Sequence, residues 1–365
     1  MKPVVVFGAT GYTGRLVIES LERRGAPYRI AGRDRAKLAA LATSLASKPE
    51  IRVADLAHPE SLRAMAEGAG AVINTVGPFR RHGAPVVEAA IARRAHYVDT
   101  TAEQIFQKEI AERFDAAARA AQVAVITGQA CEFAPGYCGA AILNDRFGPL
   151  TRVDTYYRLD AFRPSRGTAK SAVGMLGQPY WTWRGGALAR RGGAWRPRKA
   201  RFSGESTDSL ATPFPGGDEI LLPRDFPSIQ NASCNLVMPG RDAWAFAFFD
   251  GVGQAIGGWL PEAAIGWIER RIEGGLDEPG PAERAESRWT VVTRGEGSKG
   301  SRDTHECRID GTDVYGITGD LAALGALWLA EGRSRASGVV TTGKALDAAA
   351  FLDALQDRGV RWRVT

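Results

Sequence analysis

The sequence predicts an α/β chain: a doubly wound parallel sheet first, then a second α+β domain containing a mostly antiparallel sheet. Three observations predict this. Over residues 1–130, short apolar runs alternate with amphipathic stretches of about ten to fifteen residues. The first apolar run leads directly into the glycine-rich turn Gly8-Ala9-Thr10-Gly11-Tyr12-Thr13-Gly14. Beyond about residue 150 the texture changes to alternating strand-like runs between segments rich in Gly, Arg, Trp, Ser and Pro.

The elements read in order. Val4–Phe7 is a buried strand and Arg15–Arg24 a helix; Tyr28–Ala31 is a strand and Arg35–Ala46 a helix. Ile51–Val53 is the third strand, followed by a helix over Pro59–Glu67. Ala71–Thr75 is the fourth strand, Ala84–Arg94 a helix, His96–Asp99 the fifth strand, Gln104–Ala121 a long helix and Val123–Ile126 the sixth strand. Strands separated by helices imply right-handed crossovers and parallel pairing. Further on, Val153–Leu159, residues 233–250 and residues 287–310 read as strands, and Ile317–Leu329 and Ala348–Leu355 as helices. Residues 1–130, joined by the helices of about 317–356, form the first domain; residues 131–316 form the second.

Composition narrows the function class. The 365 residues carry 47 basic and 41 acidic side chains, a net charge of +6. No Lys/Arg stripe with interleaved aromatics dominates, so an anionic small ligand is expected rather than nucleic acid. Four cysteines are too few and scattered for a disulfide framework, and Cys131 and Cys138 lack CxxC spacing, so no metal site is expected. Reduced thiols point to the cytoplasm. No apolar stretch of about eighteen residues occurs, so no stable membrane insertion is expected.

The glycines Gly8, Gly11 and Gly14 follow a strand and open a helix, the context of a dinucleotide-binding Rossmann turn. Gly8 permits the tight turn. Gly11 lets backbone N–H groups of Thr10, Tyr12 and Thr13 approach a pyrophosphate at the helix N-terminus, and Gly14 permits close packing. The second strand selects the cofactor. An NAD site wants an acidic residue at its end; here the strand ends at Gly32-Arg33. A small residue followed by a guanidinium suits a 2′-phosphate, so the expected cofactor is NADP. Asp34 either competes for this role or caps the next helix. Asp55 either bonds the adenine amino group or caps the helix beginning at Pro59.

With GATGYTGRLV (8–17), AGRDRAKL (31–38), NTVGPF (74–79) and HYVDTTAE (96–103), the chain resembles the saccharopine dehydrogenase-like family of NADP-binding oxidoreductases. It is most similar to the branch that includes trans-acting enoyl reductases of lipid and polyketide assembly. Weaker likeness continues through Ser165–Ser171 and ends in Ser337–Thr342, where Thr342 replaces a family proline. The resemblance implies a sheet domain used for substrate binding and homodimer formation. Relatives carry Cys-Gly-Phe-Asp after the sixth strand; here Cys131-Glu132-Phe133-Ala134 replaces the glycine by Glu132 and the aspartate by Ala134. A Tyr-x-x-x-Lys pair after the fourth strand is missing, which argues against a short-chain dehydrogenase mechanism.

In an open parallel sheet the ligand lies beyond the carboxyl ends of the strands. The fourth strand ends in Val76, Gly77, Pro78 and Phe79, expected to flank the nicotinamide ribose and ring. Asp99 either orients a ligand or, like Thr101, caps the following helix. Candidate proton donors are Glu132, Tyr137, Lys170 and His96, with Glu132 preferred because a carboxyl among apolar neighbours keeps its proton. His96 is expected at the wrong end of its strand, and Cys131 as a buried hydrophobe. Lys170 and the arginines of 158–166 would anchor an anionic substrate. Residues 184–201 hold seven basic side chains and Trp195 without an acid. They are either a docking arm for a carrier or coenzyme A, or a plain surface arm. Residues 257–272, with Trp259, Leu260, Ile265 and Trp267, either touch a lipid-like surface or pack as a helix.

The expected function is NADPH-dependent reduction of a C=N or activated C=C bond in a small biosynthetic intermediate, free or linked to a carrier or CoA. The alternative is a non-catalytic NADP-binding sensor or scaffold protein, motivated by Glu132 and Ala134.

Overall fold

The structure, a computed structural model, describes residues 1–175, 178, 180–191, 196–256, 262–297 and 303–365. The chain divides into two compact units. The first comprises Met1–Thr101, Phe106–Ala134 and Tyr315–Asp347; the second comprises Ala102–Ile105, Pro135–Val314 and Ala348–Thr365.

The first unit follows the apolar alternation of its sequence. Strands β1 (Val4–Phe7), β2 (Tyr28–Gly32), β3 (Glu50–Val53), β4 (Ala71–Asn74), β5 (His96–Asp99) and β6 (Ala124–Ile126) alternate with helices α1 (Tyr12–Arg23), α2 (Arg35–Ser44), α3 (Pro59–Ala66), α4 (Phe79–Ala92) and α5 (Gln104–Ala121). Every described pairing among these strands is parallel, in the order β6-β5-β4-β1-β2-β3. Both faces of the sheet are covered, so Val4, Val5 and Val6 have no exposed surface. Burial of each such side chain contributes about 1.5–3 kcal/mol.

A seventh parallel strand, Gly338–Val339, lies beside β6 and was not expected from the sequence. Two residues are too short to show a periodicity; the strand exists because Val123 and Val125 offer it backbone carbonyls. Helix α4 begins at Phe79 rather than Ala84, with Pro85 inside it.

The second unit is built on a nine-stranded sheet. Its strands include β7 (Arg152–Asp160), β8 (Tyr180–Arg184), β9 (Ala187–Arg191), β10 (Arg198–Ala200), β11 (Ser209–Pro213), β12 (Asn231–Met238), β13 (Arg288–Glu296) and β14 (Thr304–Thr312), with Arg361–Val364 on the far edge. Among the described residues its pairings are antiparallel except β12 with β7. Its helices are α6 (Ala134–Phe147), α7 (Arg166–Met175), α8 (Asp218–Asp225), α9 (Gly240–Ile256), α10 (Glu262–Gly275) and α11 (Pro281–Glu286). Residues 240–250, expected as strand, are helical: the chain turns at Pro239, and the exposed side chains Trp244, Phe248 and Val252 recur every four residues. The helix Ala348–Asp353, expected with the first domain, falls in the second unit, where the following strand pairs with β14.

The second unit buries two adjacent carboxyls, Asp218 and Glu219, with no exposed surface. They open α8. The Tyr157 hydroxyl donates to Asp218 Oδ1 at 3.0 Å, and Thr182 donates to Glu219 Oε1 at 3.0 Å. The Gln104 side chain bridges Glu219 Oε2 (3.2 Å), the Gly216 carbonyl (2.9 Å) and the Trp181 carbonyl (3.0 Å). Burial pushes Asp218 up from 3.8 to about 6, against the hydrogen bonds that favour its charge. A carboxyl raised on folding stabilises the fold below its unfolded pKa. That contribution is lost as pH rises from about 4 to about 6. Asp218→Asn keeps an acceptor for Tyr157 and removes the charge. It is expected to raise the unfolding free energy at pH 7 by up to about 3 kcal/mol and to flatten the loss between pH 4 and 6. Urea unfolding across that range checks this; an unchanged slope refutes it.

Candidate functional site

Within the first unit, strand order places β1 between β2 and β4, so the chain leaves β1 at the point where the winding reverses. A ligand crevice opens beyond the carboxyl ends at such a point. The turn after β1 is tightly held. The N–H groups of Gly8 and Ala9 both donate to the Ala31 carbonyl of β2, at 3.0 and 3.2 Å. On the other side, the Thr75 N–H and hydroxyl both donate to the Phe7 carbonyl at 3.0 Å.

Gly8 has φ +86, and a Cβ there would meet Thr75 Oγ1 at 2.6 Å and Val76 Cγ2 at 2.9 Å. A Cβ at Gly14 would run into the Gly8 carbonyl and come within 3.0 Å of Ala9 Cα. The expected roles of the two glycines therefore rest on real close approaches. Helix α1 starts from Gly11 with no side-chain cap and no acid in its first turn. Its first N–H groups, from Tyr12 onward, thus offer donors and a positive dipole end to an anion. Thr10 contributes its carbonyl to Arg15 Nε at 3.3 Å, Thr13 lies in the first turn, and the Tyr12 ring meets Tyr315 edge-on at 5.3 Å.

At the end of β2, Arg33 is exposed, and no described residue forms an ion pair with it. Asp34 takes the capping alternative: it is the N-cap of α2 and accepts from the Lys37 N–H at 3.0 Å. A Cβ at Gly32 would meet nothing nearer than Leu38 at 3.8 Å, so no side chain crowds the end of β2 beside Arg33. Asp55 does not cap α3, whose N-cap is His58; its carboxylate accepts from the Ala57 N–H at 3.0 Å and is partly exposed.

The ends of β4, β5 and β6 are joined by buried polar side chains, of which sequence reasoning singled out Asp99 but assigned no role to Asn74 or Tyr97. Asn74 pairs in register with Asp99 and lies diagonal to Tyr97. Asn74, Tyr97 and Asp99 have no exposed surface. Asn74 Nδ2 donates to the Tyr97 hydroxyl at 3.1 Å, and Asn74 Oδ1 accepts from the Val76 N–H at 3.0 Å. Asp99 Oδ1 accepts from Thr101 N–H (3.0 Å) and Gly128 N–H (2.9 Å). Asp99 thus organises the turns after β5 and β6. Burial first, and the Asp99 charge second, push the Tyr97 phenol well above its usual value. An Asn that ends an apolar strand, or a Tyr within one, carries no sequence signal that separates it from a surface residue.

Of the turn after β4, Val76 and Pro78 are partly exposed and Gly77 fully so. Phe79, the first residue of α4, is 6% exposed and packs against Phe106 with ring centroids 5.9 Å apart.

Glu132 follows β6 in a turn pinned on both sides. The Cys131 N–H donates to Thr318 Oγ1 at 3.1 Å, and the Gln129 side chain donates to the Leu321 carbonyl at 3.1 Å. Thr342, which replaces the family proline, donates its hydroxyl to Gln129 Oε1. Glu132 is half-buried and has no ion-pair partner among the described residues, and burial pushes its carboxyl above the ordinary range. Cys131 is fully buried, and burial pushes its thiol well up, so it is no nucleophile. His96 accepts from the Ala124 N–H at 2.9 Å at the opposite, amino end of the strands.

Tyr137 and Lys170 belong to the second unit. Tyr137 has no exposed surface within α6. Lys170 Nζ lies 3.3 Å from Glu273 Oε2. The expected arginine anchors are also engaged: Arg158 binds Glu205 through both nitrogens (3.0 and 3.1 Å), Arg163 binds Glu283, and Arg166 donates to the Leu276 carbonyl. Within the basic arm, Trp195 lies outside the described residues, as do Trp259 and Leu260 of the 257–272 stretch.

Comparison with known proteins agrees with this geometry. Residues 4–127 match the family model described as the saccharopine dehydrogenase NADP binding domain. A Caenorhabditis elegans protein named lipid droplet localized protein is 29% identical over 60% of this chain and 58% of its own length. The human saccharopine dehydrogenase-like oxidoreductase is 32% identical over 47% of this chain and 45% of its own. A Mycobacterium tuberculosis protein named as a trans-acting enoyl reductase is 39% identical over 29% of this chain and 26% of its own. The matches span about half the length of the first two relatives, and less of the third. Saccharopine dehydrogenase (L-Glu forming) from Saccharomyces cerevisiae shares the fold across 100% of this chain and 99% of its own, with a TM-score of 0.62 at 14% identity.

Gly8→Ala is expected to lower the unfolding free energy by about 1–3 kcal/mol, because alanine resists positive φ and its methyl meets Thr75. Chemical denaturation measures this, and an unchanged midpoint counts against the interlock.

Proposed function

We infer, from the premise that residues 4–127 are a saccharopine dehydrogenase-type NADP-binding domain, that this chain is an NADPH-dependent reductase of a C=N or activated C=C bond. The observation that carries the reading is the pairing of an uncapped α1 N-terminus with an unpaired Arg33 at the end of β2. The first holds a pyrophosphate, and the second binds a 2′-phosphate. NADPH, when bound, supplies the hydride.

The protein supplies the rest. The Val76–Pro78 turn orients the reacting end of the site. Glu132 gives the proton: burial lets its carboxyl keep that proton to higher pH than an ordinary glutamate. Hydride and proton together complete a two-electron reduction of the double bond. Tyr137 is closed off in a helix core, so Glu132 is retained as the donor. Arg158, Arg163 and Lys170 are already ion-paired within their own unit, and the Arg166 guanidinium is held by the Leu276 carbonyl. This leaves fewer open anchors for an amino-acid-derived imine and supports an activated C=C substrate, carrier- or CoA-linked. The name of the mycobacterial relative supports the same choice.

Location and assembly follow as proposals. All four cysteines are buried free thiols, which supports a cytoplasmic address. No helix among the described residues is long and apolar enough to cross a membrane. The exposed Trp244, Phe248 and Val252 of α9 support peripheral contact with a lipid surface, the location the nematode relative's name gives for that protein. The family resemblance supports a homodimer.

Arg33→Ala is expected to weaken NADPH binding about 10- to 100-fold while leaving NADH binding unchanged. Titration of both cofactors by fluorescence measures it; equal effects on both would remove the 2′-phosphate assignment. In an assay of NADPH consumption with enoyl-CoA thioesters and cyclic imines, turnover should fall as pH rises through the raised Glu132 pKa. Glu132→Gln should lose that limb and most of the rate. No turnover with any substrate, despite tight NADPH binding, would favour the sensor or scaffold reading.

A further inference from the structure

We propose that Asn74, held by Tyr97, is a positioning residue for the nicotinamide half of NADP. The proposal rests on the NADP reading above and assigns a division of labour within that site.

The strand order dictates which half lies where. The pyrophosphate belongs at the turn after β1. Arg33 takes the adenosine end to β2, on one side of β1. The other half, when bound, would then reach over β4, on the opposite side, toward the turn Val76–Pro78. That turn has no regular structure of its own to hold it: it lies between the end of β4 at Asn74 and the start of α4 at Phe79. Asn74 supplies the missing constraint. Its carbonyl oxygen takes the Val76 N–H, which closes the turn as an Asx-type bond two residues long. Its amide nitrogen is spent on the Tyr97 hydroxyl of the neighbouring strand, which fixes the orientation of the carboxamide. The Tyr97 hydroxyl is held in turn by Asp99, and Asn74, Tyr97 and Asp99 are all fully buried. The carboxamide therefore has no low-energy alternative that would release the turn.

Val76 then transmits this constraint in two directions. Its side chain seats against Gly8, where no Cβ fits, and its backbone begins the exposed Gly77 tip. The adenosine side has a separate support, the Gly8 and Ala9 bonds to Ala31. Loss of the Asn74 bond should thus loosen one half of the cofactor site and spare the other.

The test uses the full-length protein and two ligands: NADP⁺, and 2′,5′-ADP, which lacks the whole nicotinamide half. Asn74→Leu keeps the branched shape and removes both hydrogen bonds. It should weaken NADP⁺ about tenfold, as expected for one to two lost bonds, and change 2′,5′-ADP less than about threefold. Asn74→Ser keeps an uncharged acceptor for the Val76 N–H beside the buried Asp99 and should restore NADP⁺ binding to within about threefold of wild type. It also serves if the leucine variant does not fold. Tyr97→Phe should give a smaller but equally one-sided loss. Parallel losses for both ligands, or no loss for either, overturn the proposal and leave the NADP reading intact. Wild-type protein that binds neither ligand overturns both.

Discussion

The turn of Gly8 ties the first unit together. Its own N–H and that of Ala9 are given to Ala31, while Thr75 gives two bonds to Phe7 and fills the space a Cβ of Gly8 would need. One turn is thereby laced to the ends of both neighbouring strands. Everything proposed about ligand orientation depends on this lacing, because it relates the Arg33 end of the sheet to the Val76 end. Parallel strands make it possible: their carboxyl ends converge on one edge, where uncapped helix N–H groups also point.

The same edge shows how polar groups can be buried without loss. Asn74, Asp99, Gln129 and Thr342 each satisfy backbone or side-chain partners across elements distant in sequence. Such bonds add modest net stability but forbid alternative loop conformations. The second unit carries the contrasting case. Asp218 and Glu219 are supported by Tyr157, Thr182 and Gln104, which are neutral donors. Burial outweighs these neutral hydrogen bonds and raises Asp218.

Much of this was legible beforehand. The alternation of apolar runs and helical stretches located six strands of the first sheet to within a residue or so at most ends, and Gly32-Arg33 pointed to the cofactor. Less legible were residues whose partners lie far along the chain. Nothing near Phe79 in the sequence announced its packing on Phe106, twenty-seven residues on. Residues 240–250 read as strand because their apolar side chains are dense in both periodicities. The cations of 158–170 read as open anchors because their partners, Glu205, Glu273 and Glu283, lie far along the chain.

Local sequence by itself determined the first unit's strands and helices, the phosphate turn and the preference for NADP. These depend on periodicity, on glycine at fixed spacing and on the residue that ends one strand, all readable within a few tens of residues. Tertiary structure alone decided that Asn74 meets Tyr97, that Thr342 meets Gln129, that Glu132 finds no ion-pair partner among the described residues and that two carboxyls are sealed beneath a sheet. Those outcomes depend on which distant groups share a desolvated space, and desolvation is a property of the packed fold rather than of any stretch of sequence.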